Sequence, residues 1–189
     1  MILKRGNSVN NRFFKHLKTI NHHRFVVLTW CFKLGIPLQG LIHDLSKYSP
    51  KEFGIYKYYT GTRSPHDNAR DQLGYSPSWL FHRNKNNHHW EYWIDSFEKM
   101  NPMKMPYRYV IEMVADFIGA GQAYSKNNWS CNMPLEYHNK FKHKKIYHKD
   151  TLELFELLLT KLSELDTDEF LRWYRKNKKQ LKQNYNRED

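Results

Sequence analysis

Gly40-Leu41-Ile42-His43-Asp44-Leu45-Ser46-Lys47-Tyr48-Ser49-Pro50 sets an imidazole beside a carboxylate in an apolar setting. Read as a helix, the stretch places His43 and Asp44 about 100° apart around the axis, so both turn toward one point at the helix edge. Lys47 follows His43 by four residues and Asp44 by three, on the same face, where its ammonium would meet an anion drawn to that point. Such a trio suits a hydrolase of phosphate esters. A His-Asp dipeptide alone is more often a solvated pair or a core histidine oriented by its neighbour, so the rest of the chain decides.

A metal site built on this pair needs a histidine upstream and a carboxylate well downstream, and it takes further histidines between them. Upstream, residues 11–34 carry Phe14, Leu17, Ile20, Val27, Leu28, Phe32 and Leu34 with few breakers before Gly35 and Pro37, which predicts a long helix. His22 and His23 lie in its middle. His23 stands one turn before Val27 and is the inward-facing candidate, with His22 a competing first ligand.

Downstream, Ser49-Pro50-Lys51-Glu52 reads as a cap, a first-position proline and a first-turn acid, opening a helix lined by Phe53, Tyr56 and Tyr59. Residues 61–76 are rich in Gly, Ser, Pro, Asn and Asp and predict a loop over a site, with His66 and Asp67 as lid or solvent-facing residues. Trp79 to Arg83 is a short helical piece ending in His82 and Arg83. In His88-His89-Trp90-Glu91-Tyr92-Trp93 the spacing puts His88 and Glu91 on one helix face, with Trp90, Tyr92 and Trp93 as an aromatic wall around a second metal site. Tyr107 to Tyr124 has helical spacing, with Asp116 beside the apolar stripe, where an unpaired carboxylate would be costly. Glu112, one turn earlier, is the competing carboxylate and a candidate general base. Gly119 and Gly121 point to a close helix approach. Residues 129–149 read as polar surface carrying His138, His143 and His148, and two more helices follow at Leu152–Leu162 and Thr167–Tyr185.

His23, then His43-Asp44-x-x-Lys47, then His82, His88 and His89, then Asp116 in Glu-Met-Val-Ala-Asp follow the order H…HD…H…H…D. In this the chain resembles the HD-domain superfamily of metal-dependent phosphohydrolases. More closely, HDLSKYSPKEF, HRNKNNHHWEYW and PYRYVIEMVADFIGAG are similar to a small uncharacterised bacterial and phage family, some of whose members carry the label "catalase"; the similarity runs over roughly residues 12 to 160. The resemblance implies an all-α, HD-domain-like helical bundle. It implies a metal set of His23, His43, Asp44, His82, His88, His89 and Asp116, with Asp44, Lys47, Glu112 and Arg83 in catalysis and Lys47, Arg83, His89 and Glu91 at the substrate. The gap from His23 to His43 is short for an HD domain.

Length favours one domain over residues 1–189, with a flexible 1–10 terminus and a basic C-terminal helix over 166–189. Lys and Arg total 31 against 19 acidic residues, a net charge of +12, which favours anionic partners: a small phosphorylated substrate, a nucleotide foremost, nucleic acid or a membrane surface. Cys31 and Cys131 form no Cys-x-x-Cys pattern, so neither a disulfide framework nor a thiolate zinc site is signalled, and a cytoplasmic location is expected. No stretch is apolar enough to predict a membrane span. Imidazoles and carboxylates without thiolate suit one or two divalent ions of Mn, Fe, Co, Ni or Zn. Two alternatives remain: an HD-fold oxygenase with two irons in the same ligands, and a basic nucleic-acid-binding or inhibitor protein whose histidines are structural.

Overall fold

The structure, a computed structural model, describes residues 3–61, 63–125 and 128–187. It is all-α apart from one two-residue strand pair. In chain order it has α1 (Leu3–Leu34), α2 (Pro37–Ile42), a 3-10 turn (Leu45–Tyr48), α3 (Pro50–Phe53), a second 3-10 turn (Gly54–Tyr58), α4 (Pro65–Leu73) and α5 (Pro77–Arg83). A third 3-10 turn (Trp90–Trp93) leads into β1 (Ile94–Asp95), antiparallel to β2 (Asn101–Pro102), and then come α6 (Tyr107–Ser125), α7 (Met133–Phe141), α8 (Lys149–Glu164) and α9 (Thr167–Tyr185). No helix of the described residues is long and apolar enough to cross a membrane.

α1 is longer than the spacing of its apolar residues suggested. It already runs from Leu3, through most of the expected flexible terminus; Met1 and Ile2 lie outside the described residues. It stops where glycine allows it: Gly35 takes φ 77, and the Ile36 amide returns to the Cys31 carbonyl at 2.9 Å. Its buried stripe of Val27, Trp30, Cys31 and Leu34 joins Val110, Ile111, Val114 and Ile118 of α6, Leu154 to Leu162 of α8 and Phe170 to Tyr174 of α9 in one apolar cluster.

The pairing of α1 with α6 is what positions the site. The helices run side by side in the same direction: His23 meets Asp116, Val27 meets Gly119, and Trp30 Nε1 donates to Gln122 Oε1 at 3.2 Å. A Cβ at Gly119 would lie 2.4 Å from Val27 Cγ2, so glycine is needed for this approach. The expected close contact at Gly119 is therefore the α1–α6 seam, whereas Gly121 faces Trp129.

Three expectations for local structure change. Residues 61–76 hold a helix, α4, where a loop was predicted, because Pro65 at the first turn and Gly74 at φ 78 bound nine residues that close a helix between them. Residues 129–149 hold α7, and His138 is fully buried there, Nε2 2.9 Å from Glu156 Oε1, instead of lying on the surface. His88 and His89 precede a 3-10 turn and are not helical, so Glu91 does not share a helix face with His88.

Candidate metal centre

The His-Asp pair does not sit on a helix. α2 ends at Ile42, His43 takes φ −50 and ψ 125, and Asp44 takes φ 54 and ψ 26, in the left-handed region. Asp44 is the one non-glycine residue with positive φ among the described residues. Aspartate bears that conformation better than most residues, at a cost of about 1 kcal/mol, and such outliers gather at functional sites. The break, rather than helical spacing, turns both side chains inward. Arg24 of α1 holds it from outside, with Nε donating to the His43 carbonyl at 2.8 Å and Nη2 to the Leu41 carbonyl at 3.1 Å.

Around Asp44, ligand atoms from five segments converge. His23 Nε2 from α1 lies 3.0 Å from Asp116 Oδ1 of α6 and 3.7 Å from Asp44 Oδ2. His43 Nε2 lies 3.3 Å from Asp44 Oδ2 and 3.5 Å from Asp116 Oδ1. On the other oxygen, Asp44 Oδ1 is 3.4 Å from His82 Nε2 and 3.6 Å from His88 Nε2, and His89 Nε2 meets His82 Nε2 at 2.7 Å. Two groups able to hold an ion thus share Asp44: His23, His43, Asp44 and Asp116, and Asp44, His82, His88 and His89. Donors about 2.1 Å from one ion stand about 3.0 Å apart at 90° and about 3.4 Å at a tetrahedral angle. The observed spacings fall around those values.

Several of the donors are also unsatisfied. The Nε2 atoms of His23, His43 and His88 and Oδ1 of Asp44 are buried without hydrogen-bond partners. Buried polar atoms are nearly always bonded, so a cluster of such orphans fits an ion that would join them. His22 is exposed, whereas His23 is buried and brings its Nε2 to the cluster. Cys31 is buried in the core, where burial raises its thiol pKa, and neither cysteine is among the donors.

A model of the family of unknown function DUF5662 matches residues 12–161. The chain belongs to that family. Neither the curated proteins nor the solved structures searched gave a match.

Glu112 is not placed as a general base. Its Oε1 lies 2.9 Å from His43 Nδ1 and 3.1 Å from His88 Nδ1, behind the imidazoles, so it holds one histidine of each candidate group in place. Burial alone would raise its pKa, but the bonds from His43 and His88 outweigh that and lower it. Glu52, read from sequence only as a first-turn acid, does the same for His82, Oε2 to Nδ1 at 2.9 Å, and is buried. Nothing in the cap pattern distinguishes that task from an ordinary helix start. Trp93 Nε1 donates to the Asn87 carbonyl at 2.7 Å and pins the segment carrying His88 and His89; Trp90 lines the site, while Tyr92 is exposed.

The donors open into a cavity of about 730 Å³. Lys47 lines it with its ammonium 2.6 Å from Asp44 Oδ2; burial opposes that charge, but Asp44 and Asp116 hold its pKa above the usual lysine range. Arg83, expected at the substrate, is not among the lining residues. The cations there besides Lys47 are Arg63, Lys140 and Lys145, missed because they stand in stretches read as loop and solvated face. Lys145 packs over the Phe117 ring at 4.7 Å, and burial lowers its pKa. Glu91 lines the cavity, with burial raising its pKa. His66 and Asp67 line it from α4.

Proposed function

We propose that this protein is an HD-type metal-dependent phosphohydrolase acting on a phosphate ester, a nucleotide foremost, with one divalent ion held by His23, His43, Asp44 and Asp116 and a second by Asp44, His82, His88 and His89. The observation that carries the reading is the convergence of unpartnered imidazole nitrogens on both oxygens of one buried carboxylate. Imidazole with carboxylate and no thiolate suits Mn, Fe, Co, Ni or Zn. When bound, such an ion lowers the pKa of a water and polarises a phosphoryl oxygen.

The chain's own groups supply the rest. Lys47, kept charged beside Asp44, stands where it neutralises phosphoryl oxygens, and Arg63, Lys140 and Lys145 line the path of an anion entering the cavity. Glu112 and Glu52 accept from Nδ1 of His43, His88 and His82, which fixes each Nε2 as the free nitrogen turned toward Asp44. Trp79, Trp90 and Phe117 narrow the water around the reacting phosphate.

Metal analysis of protein purified without added metal, followed by turnover of p-nitrophenyl phosphate and nucleoside monophosphates, tests the reading. Wild type is expected to bind two metal equivalents, the His82→Ala, His88→Ala double variant about one, and Asp44→Ala none, with helical circular dichroism retained throughout. Unchanged metal content in Asp44→Ala would sink the site. Turnover that requires dioxygen would move the same ligands to oxygenase chemistry.

A further inference from the structure

Part of the cavity wall takes no part in holding an ion. His16, Thr19 and His66 line the same cavity and belong to none of the candidate ligand groups. His16 lies seven residues before His23 on α1, two turns along the same face, and is only 6 % exposed. Neither of its ring nitrogens has a hydrogen-bond partner. Its ring is clamped by Phe53 and Tyr59, with centroids 5.3 Å and 5.4 Å away, so it is fixed in place with its polar atoms unused. His66 spends one nitrogen, Nδ1, on Ser76 Oγ at 2.9 Å, which leaves Nε2.

The chemistry of these rings restricts what completes them. Burial, reinforced by the Lys47 charge, pushes the pKa of His16 down to about 4 and that of His66 to about 3, so both are neutral at physiological pH. A neutral imidazole presents one donor and one acceptor. It lacks the charge that would pair with a second phosphate or a carboxylate, and an apolar group would leave its nitrogens unsatisfied. A hydroxyl, donor and acceptor in one atom, matches it. Thr19 Oγ1 and Tyr59 OH, 2.8 Å apart beside His16, extend the same hydroxyl-compatible surface.

We propose that His16, His66 and Thr19 form a subsite for the hydroxyl-bearing organic group of the substrate, a sugar or other polyol, next to the phosphate position at Lys47 and the metal centre. The placement of the phosphate rests on the phosphohydrolase reading; the polyol subsite rests on the unpartnered His16 ring, with the Thr19 hydroxyl, which donates to the Lys15 carbonyl at 3.0 Å, beside it.

The test is calorimetric titration of the full-length, manganese-loaded protein with ribose 5-phosphate, phenyl phosphate and inorganic phosphate, together with tryptophan fluorescence under free ribose, since Trp79 lines the cavity. Wild type is expected to bind ribose 5-phosphate about tenfold more tightly than phenyl phosphate. His16→Phe, which keeps an aromatic ring between Phe53 and Tyr59, should bring the two within about twofold while leaving inorganic phosphate affinity unchanged. His16→Gln, which restores a donor and an acceptor, should recover most of the preference. Phosphate binding with no preference for ribose 5-phosphate in wild type, or a preference that survives in His16→Phe, overturns the subsite and spares the hydrolase reading. A fluorescence response to ribose that His16→Phe abolishes, with no binding of inorganic phosphate, does the reverse.

Discussion

Glu112 and Glu52 show how much a single buried carboxylate decides. Glu112 accepts from histidines in both ligand groups, and Glu52 from His82 alone. Substitutions behind metal-ligating histidines typically cost about 10- to 100-fold in metal affinity. Glu112→Gln should therefore weaken both binding steps of a metal titration, whereas Glu52→Gln should weaken only one; equal effects on both steps from Glu52→Gln would contradict the two-group arrangement. The neutral rings make a separate, pH-dependent claim. With the folded pKa of His16 near 4 against 6.5 in the unfolded chain, the unfolded state binds more protons between those values. Stability contributed by the neutral ring is present above about pH 6.5 and lost as pH falls toward 4, at up to about 1.4 kcal/mol per pH unit. His16→Phe should flatten that part of the stability profile measured by chemical denaturation; an unchanged slope would show that the ring protonates without cost. At this scale residue type and order in the sequence singled out the histidines and aspartates that converge around Asp44, but not Glu52, whose bond to His82 has no signature distinct from helix capping. Nor did it announce the unpartnered state of His16, which only the folded wall creates.

Among the elements, α6 and α8 were legible from apolar stripes at helical period, and α9 from acidic residues at its start and basic residues toward its end; α9 begins where Asp166 accepts from the Glu169 amide at 2.7 Å. The connection between α1 and α6 was harder to read, since its pieces are four to nine residues long and are held by caps and tertiary contacts rather than by periodicity. The reversal at Asp44 is the sharpest case. The sequence suggested a helical register for His43, Asp44 and Lys47; instead a left-handed residue and a 3-10 turn bring the same three side chains together. Gly119 is where element geometry becomes testable. Gly119→Ala should force α1 away from α6 and destabilise the fold by about 1–3 kcal/mol in thermal unfolding, as overpacking does. Because the obstructing atom is Val27 Cγ2, adding Val27→Ala should return part of that loss, and the same pair should shift metal affinity through His23 and Asp116. Additive losses in the double variant would mean that the seam does not transmit the strain.

Over the whole molecule, the candidate centre ties together segments that the apolar core does not. Its donors come from α1, the Asp44 turn, α5, the segment with His88 and His89, and α6, whereas the buried apolar cluster is centred on α1, α6, α8 and α9. The stretch from His43 to Trp93 relies largely on polar contacts, short helices and the candidate donors themselves; among its described apolar side chains Ile55, Pro65 and Ala69 are buried, and Trp90 and Trp93 pack against the core. Metal should act as a clamp on this half. At about 100 times its dissociation constant an ion stabilises the folded state by about 2.7 kcal/mol, which for a chain of this size raises the melting temperature by about 5–10 °C. Chelation should reverse that gain unevenly: amide exchange is expected to accelerate in residues 43–53 and 77–93 while Leu154 to Leu162 of α8 and Phe170 to Tyr174 of α9 stay protected. Exchange that rises equally through α8 and α9 would show that the ion supports the global fold, and exchange that rises nowhere would show that these histidines are held without one.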